Sequence, residues 1–251
     1  MFQYASLKGI ARKHGYDFLI PDKKHFGMID QKVLNERCDI YDTFDISKNN
    51  TIFYSNYPKI KEKDINFDLN LFETCPDNVD LEGYFQSYKY FEHIKKEIKL
   101  DFSFNPETKN ISSKYLKQFG DRELISLHIR RGDYLHFPEY HPLCSIDYYC
   151  QALSKLPEHL LVIVFSDDPE WCFDQTIFNP NRFIISENNT PDIDLYIMTR
   201  CNYHIISNSS FSWWGAWMSN SKMVISPKKW FGEKIFNFKI EDKIPEDWLL
   251  L

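Results

Sequence analysis

From Glu123 onward the sequence alternates between short β-rich runs and helical stretches, and this alternation restricts the fold more than any other feature. Strands are expected over residues 124–130, 160–166, 182–186, 203–207 and 223–226. Helices are expected between them, over 146–156, 169–178, 193–201 and 210–219. Strand, helix, strand at this spacing builds right-handed βαβ units, so the second half should be a parallel sheet covered by helices on both faces.

The first half is less regular. Residues 2–14 read as a helix with Tyr4, Leu7, Ile10 and Ala11 on one face and Gly15 as its stop. A strand over 16–20, closed by Pro21, should follow. Residues 48–80 are polar, Asn-rich and loop-like. Residues 88–98 return as an amphipathic helix with Tyr90, Phe91, Ile94 and Ile98 toward the core, and 105–113 read as a connection. The expectation is an α/β protein of two Rossmann-like lobes with a cleft between them, over residues 1–112 and 113–251, the first smaller and irregular.

Composition excludes several alternatives. A formal charge of −6 and a pI of about 5.8 argue against a nucleic-acid binder, which carries a basic excess or stripe. The longest apolar run, 160–165, is strand-sized and far short of a membrane span. The N-terminus has no secretory pattern, so a cytoplasmic protein is expected, with a peripheral place on the inner membrane left open. The six cysteines are scattered without a CxxC pair and read as buried free thiols rather than zinc ligands or a disulfide framework.

Four stretches could carry chemistry. His128-Ile129-Arg130-Arg131-Gly132-Asp133-Tyr134 follows an apolar run and so occupies the carboxyl end of a strand, where ligands bind in open α/β sheets. Two arginines there suit a phosphate, through bidentate guanidinium bonds, and Gly132 should permit a tight turn. Phe165-Ser166-Asp167-Asp168-Pro169 ends another strand. Asp168 is a natural helix cap there, and Asp167 either shares that structural role or meets nucleotide hydroxyls. In Thr190-Pro191-Asp192-Ile193-Asp194 the acids open a helix rather than end a strand, which favours capping and hydrogen-bond acceptance by Asp194 over a metal site. Ser207-Asn208-Ser209-Ser210-Phe211-Ser212-Trp213-Trp214-Gly215-Ala216-Trp217 opens a helix that is apolar on nearly every face, hence buried, and its N-terminus is an anion site at Ser209 and Ser210. Two diphosphate-holding elements with acids nearby describe a nucleoside-diphosphate pocket. No Walker loop and no Gly-x-Gly-x-x-Gly fingerprint is present.

Together with Gly83-Tyr84-Phe85-Gln86-Ser87, Tyr148-Tyr149 and Pro227-Lys228-Lys229-Trp230-Phe231, these stretches resemble glycosyltransferase family 11, the α-1,2-fucosyltransferases of bacterial type. The resemblance spans most of the chain. It implies a GT-B-like fold and a metal-independent, inverting transfer of L-fucose from GDP-fucose to the 2-hydroxyl of a terminal galactose on a glycan acceptor, with no cofactor. By position it implies that Arg130 and Arg131 neutralise the departing β-phosphate and that His128 lies close to the nucleotide. Asp194 would accept from the guanine N–H groups, and Ser209, Ser210 and Phe211 would complete the surroundings of phosphate and base. For the proton-accepting base the candidate is Asp133, with Glu139 and His141 behind it; the alternative is that Asp133 only orients Arg131. Family members carry a strand and a Gly-x-Gly-Asn-Gln loop ahead of the Met1-Phe2-Gln3-Tyr4-Ala5 element, so the resemblance implies an acceptor-side first lobe incomplete at its start. Two other readings stay open: a catalytically impaired nucleotide-sugar or glycan-binding protein, and a glycosyltransferase using another donor.

Overall fold

In the computed structural model, which describes residues 1–21, 40–46, 51–52 and 56–251, the chain divides at Asn105 into two units. The first comprises Met1–Asn105 with a returning segment, Lys239–Pro245; the second comprises Pro106–Phe238 and Glu246–Leu251.

The first unit opens with α1 (Phe2–His14), as the periodicity predicts. Gly15 ends it in the left-handed conformation at φ 72°, where its N–H closes onto the Ala11 carbonyl and a side chain would be strained. Then come β1 (Ile20–Pro21), α2 (Ile40–Thr43), β2 (Thr51–Ile52), β3 (Lys59–Lys61), α3 (Leu69–Thr74) and β4 (Asp80–Glu82). The strands form two separate parallel pairs, β1 with β2 and β3 with β4. The strand expected over 16–20 shrinks to β1, because Tyr16 closes the helix end through its N–H and stacks on His14 at 5.3 Å. Part of the polar stretch 48–80 lies outside the described residues; the rest holds β2, β3, the first residue of β4 and α3, the last capped by Asp68.

The helix expected over 88–98 is replaced by two short 3₁₀ turns, Tyr88–Tyr90 and Glu92–Ile94, leading into α4 (Lys95–Asp101). Tertiary packing overrides periodicity there. Helix α1 approaches at Gly9 so closely that a Cβ would strike the backbone carbonyl of Tyr90, and Tyr90 and Phe91 are wholly buried.

In the second unit, α5 (Pro106–Leu116) occupies most of what reads as a connection. Its buried face presents Thr108 and Ser112, one turn apart, so hydrophobic periodicity does not reveal it. Thr108 donates its hydroxyl to Asp192 in α8 (below). The sheet follows: β5 (Leu124–Ile129), α6 (Ile146–Leu153), β6 (Leu161–Ser166), α7 (Pro169–Phe173), β7 (Phe183–Ile185), α8 (Pro191–Thr199), β8 (Tyr203–Ile205), α9 (Ser210–Met218), β9 (Met223–Ser226) and β10 (Leu249–Leu250). All pairings are parallel, in the order β10-β9-β8-β5-β6-β7. The final strand, β10, has no apolar run of its own in the sequence long enough to announce it.

Both faces are covered. Ile125, Leu127 and Ile129 of β5 pack with Val162 and Val164 of β6, Tyr148 and Tyr149 of α6 and Cys172 of α7. On the opposite face Leu124, Ile163 and Phe165 pack against Ile193, Ile197 and Met198 of α8. Among the described residues no helix is long and apolar enough to cross a membrane. The strand order makes β5 the central element from which the chain winds outward in both directions. The carboxyl ends of β5 and β8 therefore form the switch point at which doubly wound sheets bind ligands.

Two histidines are buried in this sheet. His128 and His204 are 4% and 1% exposed, and burial pushes both imidazoles down to about 3. They are neutral in the folded protein, whereas in the unfolded chain they protonate near the usual value of about 6.5. Their contribution to stability is therefore present in full above pH 6.5 and is lost progressively as pH falls toward 3. The backbone at Cys201 opposes this shift in His204 but does not offset the burial. Urea unfolding at pH 7 and pH 5 is expected to show His204→Leu losing less stability than the wild type over that interval, by about 1.4 kcal/mol for each pH unit below 6.5.

Candidate active site

The parallel register sets the site. His128 lies opposite Phe165 and Ile129 opposite Ser166, so the residues that follow, Arg130-Arg131 and Asp167-Asp168, leave the sheet side by side. Asp167 accepts the Arg131 backbone N–H at 2.9 Å and pairs with the Arg130 guanidinium at 3.0 Å. The other Arg130 terminal nitrogen donates to Asp133 at 2.6 Å. Arg131 donates through Nε to Asp168 at 3.0 Å, and its guanidinium lies 4.0 Å over the Trp171 ring. That stack and that ion pair hold the fork from one side, while no described residue accepts from its terminal nitrogens.

Gly132 opens a tight turn as expected, with the Leu135 N–H donating back to the Arg131 carbonyl at 3.0 Å, and it has a second role. A Cβ at this position would collide with the Asp167 carboxylate, so glycine is what allows Asp167 to reach both arginines. Asp167, for which nucleotide hydroxyls were one expectation, is occupied by Arg130 and the Arg131 amide. Asp168 caps α7 by accepting from the Trp171 N–H at 3.2 Å, as its place before Pro169 predicts.

Across the switch point stands the turn between β8 and α9. His128 is bonded through Nδ1 to the Ser207 hydroxyl at 2.8 Å, and its ring lies 5.5 Å from that of Phe211. Buried and neutral, it supports this turn and carries no charge toward an anion. Ser209 is the N-cap of α9, accepting from the Phe211 N–H at 3.3 Å, and Ser210 is exposed in the first turn. Helix α9 behind it is buried, with Trp213 stacked on Trp217 at 5.9 Å and tilted against Trp248 at 5.6 Å.

Asp194 lies apart from the arginines, in the first turn of α8 at the carboxyl end of β7. Its Oδ1 accepts from Ser186 at 2.7 Å and Asn189 at 3.0 Å. No described residue donates to Oδ2, and burial raises its pKa. Asp192 is held by Thr108 and Thr190. Among the described residues no group of three or more His, Cys, Asp or Glu side chains is arranged to hold a metal ion. A cavity of about 360 Å³ lies in the first unit, lined by residues including Leu7, Ile10, Phe18 and Leu81; none of the expected site residues lines it.

Sequence reasoning passed over three supporting residues. Trp171 carries Arg131, and its position three residues after the Asp168 cap was the available signal. Asn208 donates to the Pro142 and Trp230 carbonyls, both at 2.9 Å, and its own carbonyl accepts from Tyr134 at 3.1 Å. Tyr134 stacks on His141 at 4.7 Å and lies 5.4 Å from the Arg130 guanidinium. An asparagine amid serines gives no sign of that bridging role.

The family profile described as Glycosyl transferase family 11 matches residues 1–251. An α-1,2-colitosyltransferase of Escherichia coli is 33% identical over 241 residues, covering 85% of this chain and 81% of that protein. The O-antigen biosynthesis glycosyltransferase WbnK of Escherichia coli is 34% identical over 60% of this chain and 55% of its own length. The human galactoside α-(1,2)-fucosyltransferase 1 is 26% identical over 57% of this chain and 44% of its own. Among solved structures, the fucosyltransferase NodZ from Bradyrhizobium superposes with a TM-score of 0.59 at 14% identity, covering 87% of this chain and 88% of that one. This last likeness supports the α/β, GT-B-like fold.

The Gly132–Asp167 contact can be measured. Gly132→Ala should displace the Asp167 carboxylate and cost about 1–2 kcal/mol in urea unfolding, from lost charge-assisted hydrogen bonds. In an Asp167→Ala background the same substitution should cost less than half of that, since the clash is gone.

Proposed function

The chain belongs to glycosyl transferase family 11, and from that premise we propose that it transfers L-fucose from GDP-fucose, with inversion, to the 2-hydroxyl of a terminal galactose on a glycan acceptor. The observation that carries this reading is the pair Arg130-Arg131 at the carboxyl end of the central strand, facing the N-terminus of α9 across the switch point. A fucosyl transition state is oxocarbenium-like, and negative charge grows on the diphosphate as the bond to the sugar breaks. Guanidinium groups and helix N–H donors held in place beforehand stabilise that charge more than the ground state, which is where rate arises.

In this reading the terminal nitrogens of Arg131 meet the β-phosphate and Arg130 assists them. The Ser209–Ser210 turn supplies hydroxyls and helix N–H groups to the same anion. Asp194 offers its Oδ2 to the guanine N–H groups, which selects GDP over UDP. Asp133 accepts the acceptor's proton. The reaction needs no metal and no cofactor, because the arginines supply the positive charge. The 33% identity to the α-1,2-colitosyltransferase over 85% of the chain favours one second reading, a colitosyl donor at the same site.

Transfer measured with a panel of GDP-fucose, GDP-colitose and UDP-sugars on a galactose-terminated acceptor tests both readings, with the linkage read by NMR. Turnover with GDP-fucose that survives chelator is expected; dependence on a divalent ion, or transfer from UDP-sugars alone, would sink the proposal. Arg131→Lys, which loses the fork and the Trp171 stack, should lower kcat about 10²- to 10³-fold. Asp194→Ala should weaken GDP binding in calorimetry while leaving UDP binding unchanged, removing the preference between the two.

A further inference from the structure

Arg130 is divided unequally between two carboxylates. On one side Asp167 holds it at 3.0 Å; that side chain is 25% exposed and is itself fixed by the Arg131 amide. On the other side Asp133 holds it at 2.6 Å, but the Asp133 side chain is 56% exposed and lies only three residues further on, in a single 3₁₀ turn, Asp133–His136. Exposed pairs of this kind are weak and screened by salt. The rest of the turn is anchored independently: Tyr134 donates to the Asn208 carbonyl and stacks on His141, so the Asp133 side chain can swing away while its backbone stays.

A diphosphate offers Arg130 more charge and more acceptor oxygens than one carboxylate does. Phosphate and Asp133 thus compete for the same guanidinium nitrogen. We propose that Asp133 occupies Arg130 only in the absence of donor, that the donor's β-phosphate displaces it, and that the displaced carboxylate is then the group that deprotonates the acceptor. The idea rests on the fucosyl-transfer reading above.

The displacement frees the carboxylate, which is otherwise turned to the Arg130 guanidinium at 2.6 Å. In the transfer step the bond between the anomeric carbon and the β-phosphate oxygen breaks, and its electron pair leaves with GDP. The acceptor oxygen bonds to the anomeric carbon, and its proton passes to a carboxylate oxygen of Asp133. No further reactant is required. Before donor binds, the same carboxylate is engaged by Arg130, so its availability to the acceptor is tied to an occupied donor site.

Competition predicts effects of opposite sign on binding and on turnover, which a merely structural role for Asp133 does not. GDP is titrated calorimetrically into wild type, Asp133→Ala, Arg130→Ala and the double variant, and transfer is assayed alongside. The Asp133→Ala protein is expected to bind GDP about two- to fivefold tighter, the scale of one exposed ion pair, while its kcat falls about 100-fold or more. In the Arg130→Ala background the gain in GDP affinity should vanish. Unchanged or weaker GDP binding by Asp133→Ala overturns the proposal, as does a kcat within threefold of wild type. A gain that persists without Arg130 also overturns it, since that is charge repulsion without exchange. If the wild type itself binds no GDP, the donor reading fails and takes this inference with it, a result separate from the others.

Discussion

The parallel register between β5 and β6 is the constraint on which the site depends. Both strands are buried on both faces, so each side chain has one acceptable side: Ile125, Leu127 and Ile129 toward α6 and α7, Leu124 and His128 toward the other layer. A slip of one residue would drive Ser126 and His128 into the first apolar cluster and expel isoleucines from it, so the core forbids the slip. With the register held, Arg130-Arg131 and Asp167-Asp168 must emerge adjacent, and the ion network follows without loop flexibility being involved. Gly132 then completes it by leaving room for the Asp167 carboxylate.

The opposite wall is rigid for a different reason. Helix α9 is packed by interlocking tryptophans, with Trp213, Trp214 and Trp217 all at most 3% exposed. A helix held so tightly presents its N-terminal N–H groups in one direction, and Ser209 caps it at the edge that faces β5. The Ser207–His128 hydrogen bond ties this turn to the central strand, and Asn208 ties it to the segments at Pro142 and Trp230. The two walls thus share a strand as their common support, which keeps their spacing independent of surface loops.

What could be read from the amino-acid sequence follows from how each residue's role is satisfied. The strands of the second unit are continuous apolar runs, so they are visible, and β5, β6 and β9 begin and end within a residue of expectation. Helix α5 stays hidden because its buried face is threonine and serine, and the partner of Thr108, Asp192, lies far along the chain. The turns at Tyr88–Ile94 are misread as a helix because Gly9, eighty residues earlier, dictates the approach. In the site, the paired arginines and the serine-rich helix start carry their chemistry in adjacent residues. Asp167 does not: its partners come from the neighbouring strand, and an acid at a strand end looks equally free for ligand or for structure until that strand is placed. Trp171 and Asn208 escape notice for the same reason, since each acts on a residue more than thirty positions away.

The charge balance around the arginines bears on turnover. Two guanidinium groups are surrounded by three carboxylates, Asp133, Asp167 and Asp168, so the ligand-free site has a slight negative excess although its expected ligand is an anion. A site optimised only for holding diphosphate would omit some of those acids. On the fucosyl-transfer reading proposed above, their presence would lower the affinity for diphosphate in substrate and product alike, and an interaction shared equally by ground state and transition state contributes nothing to kcat. Asp167 and Asp168 nevertheless aim the guanidinium forks and remove their freedom to turn, so the donors need not reorganise when charge arrives on the leaving phosphate. On that reading the arrangement trades tightness of binding for direction, which would suit a group that answers a charge growing during the reaction and then releases the product that carries it.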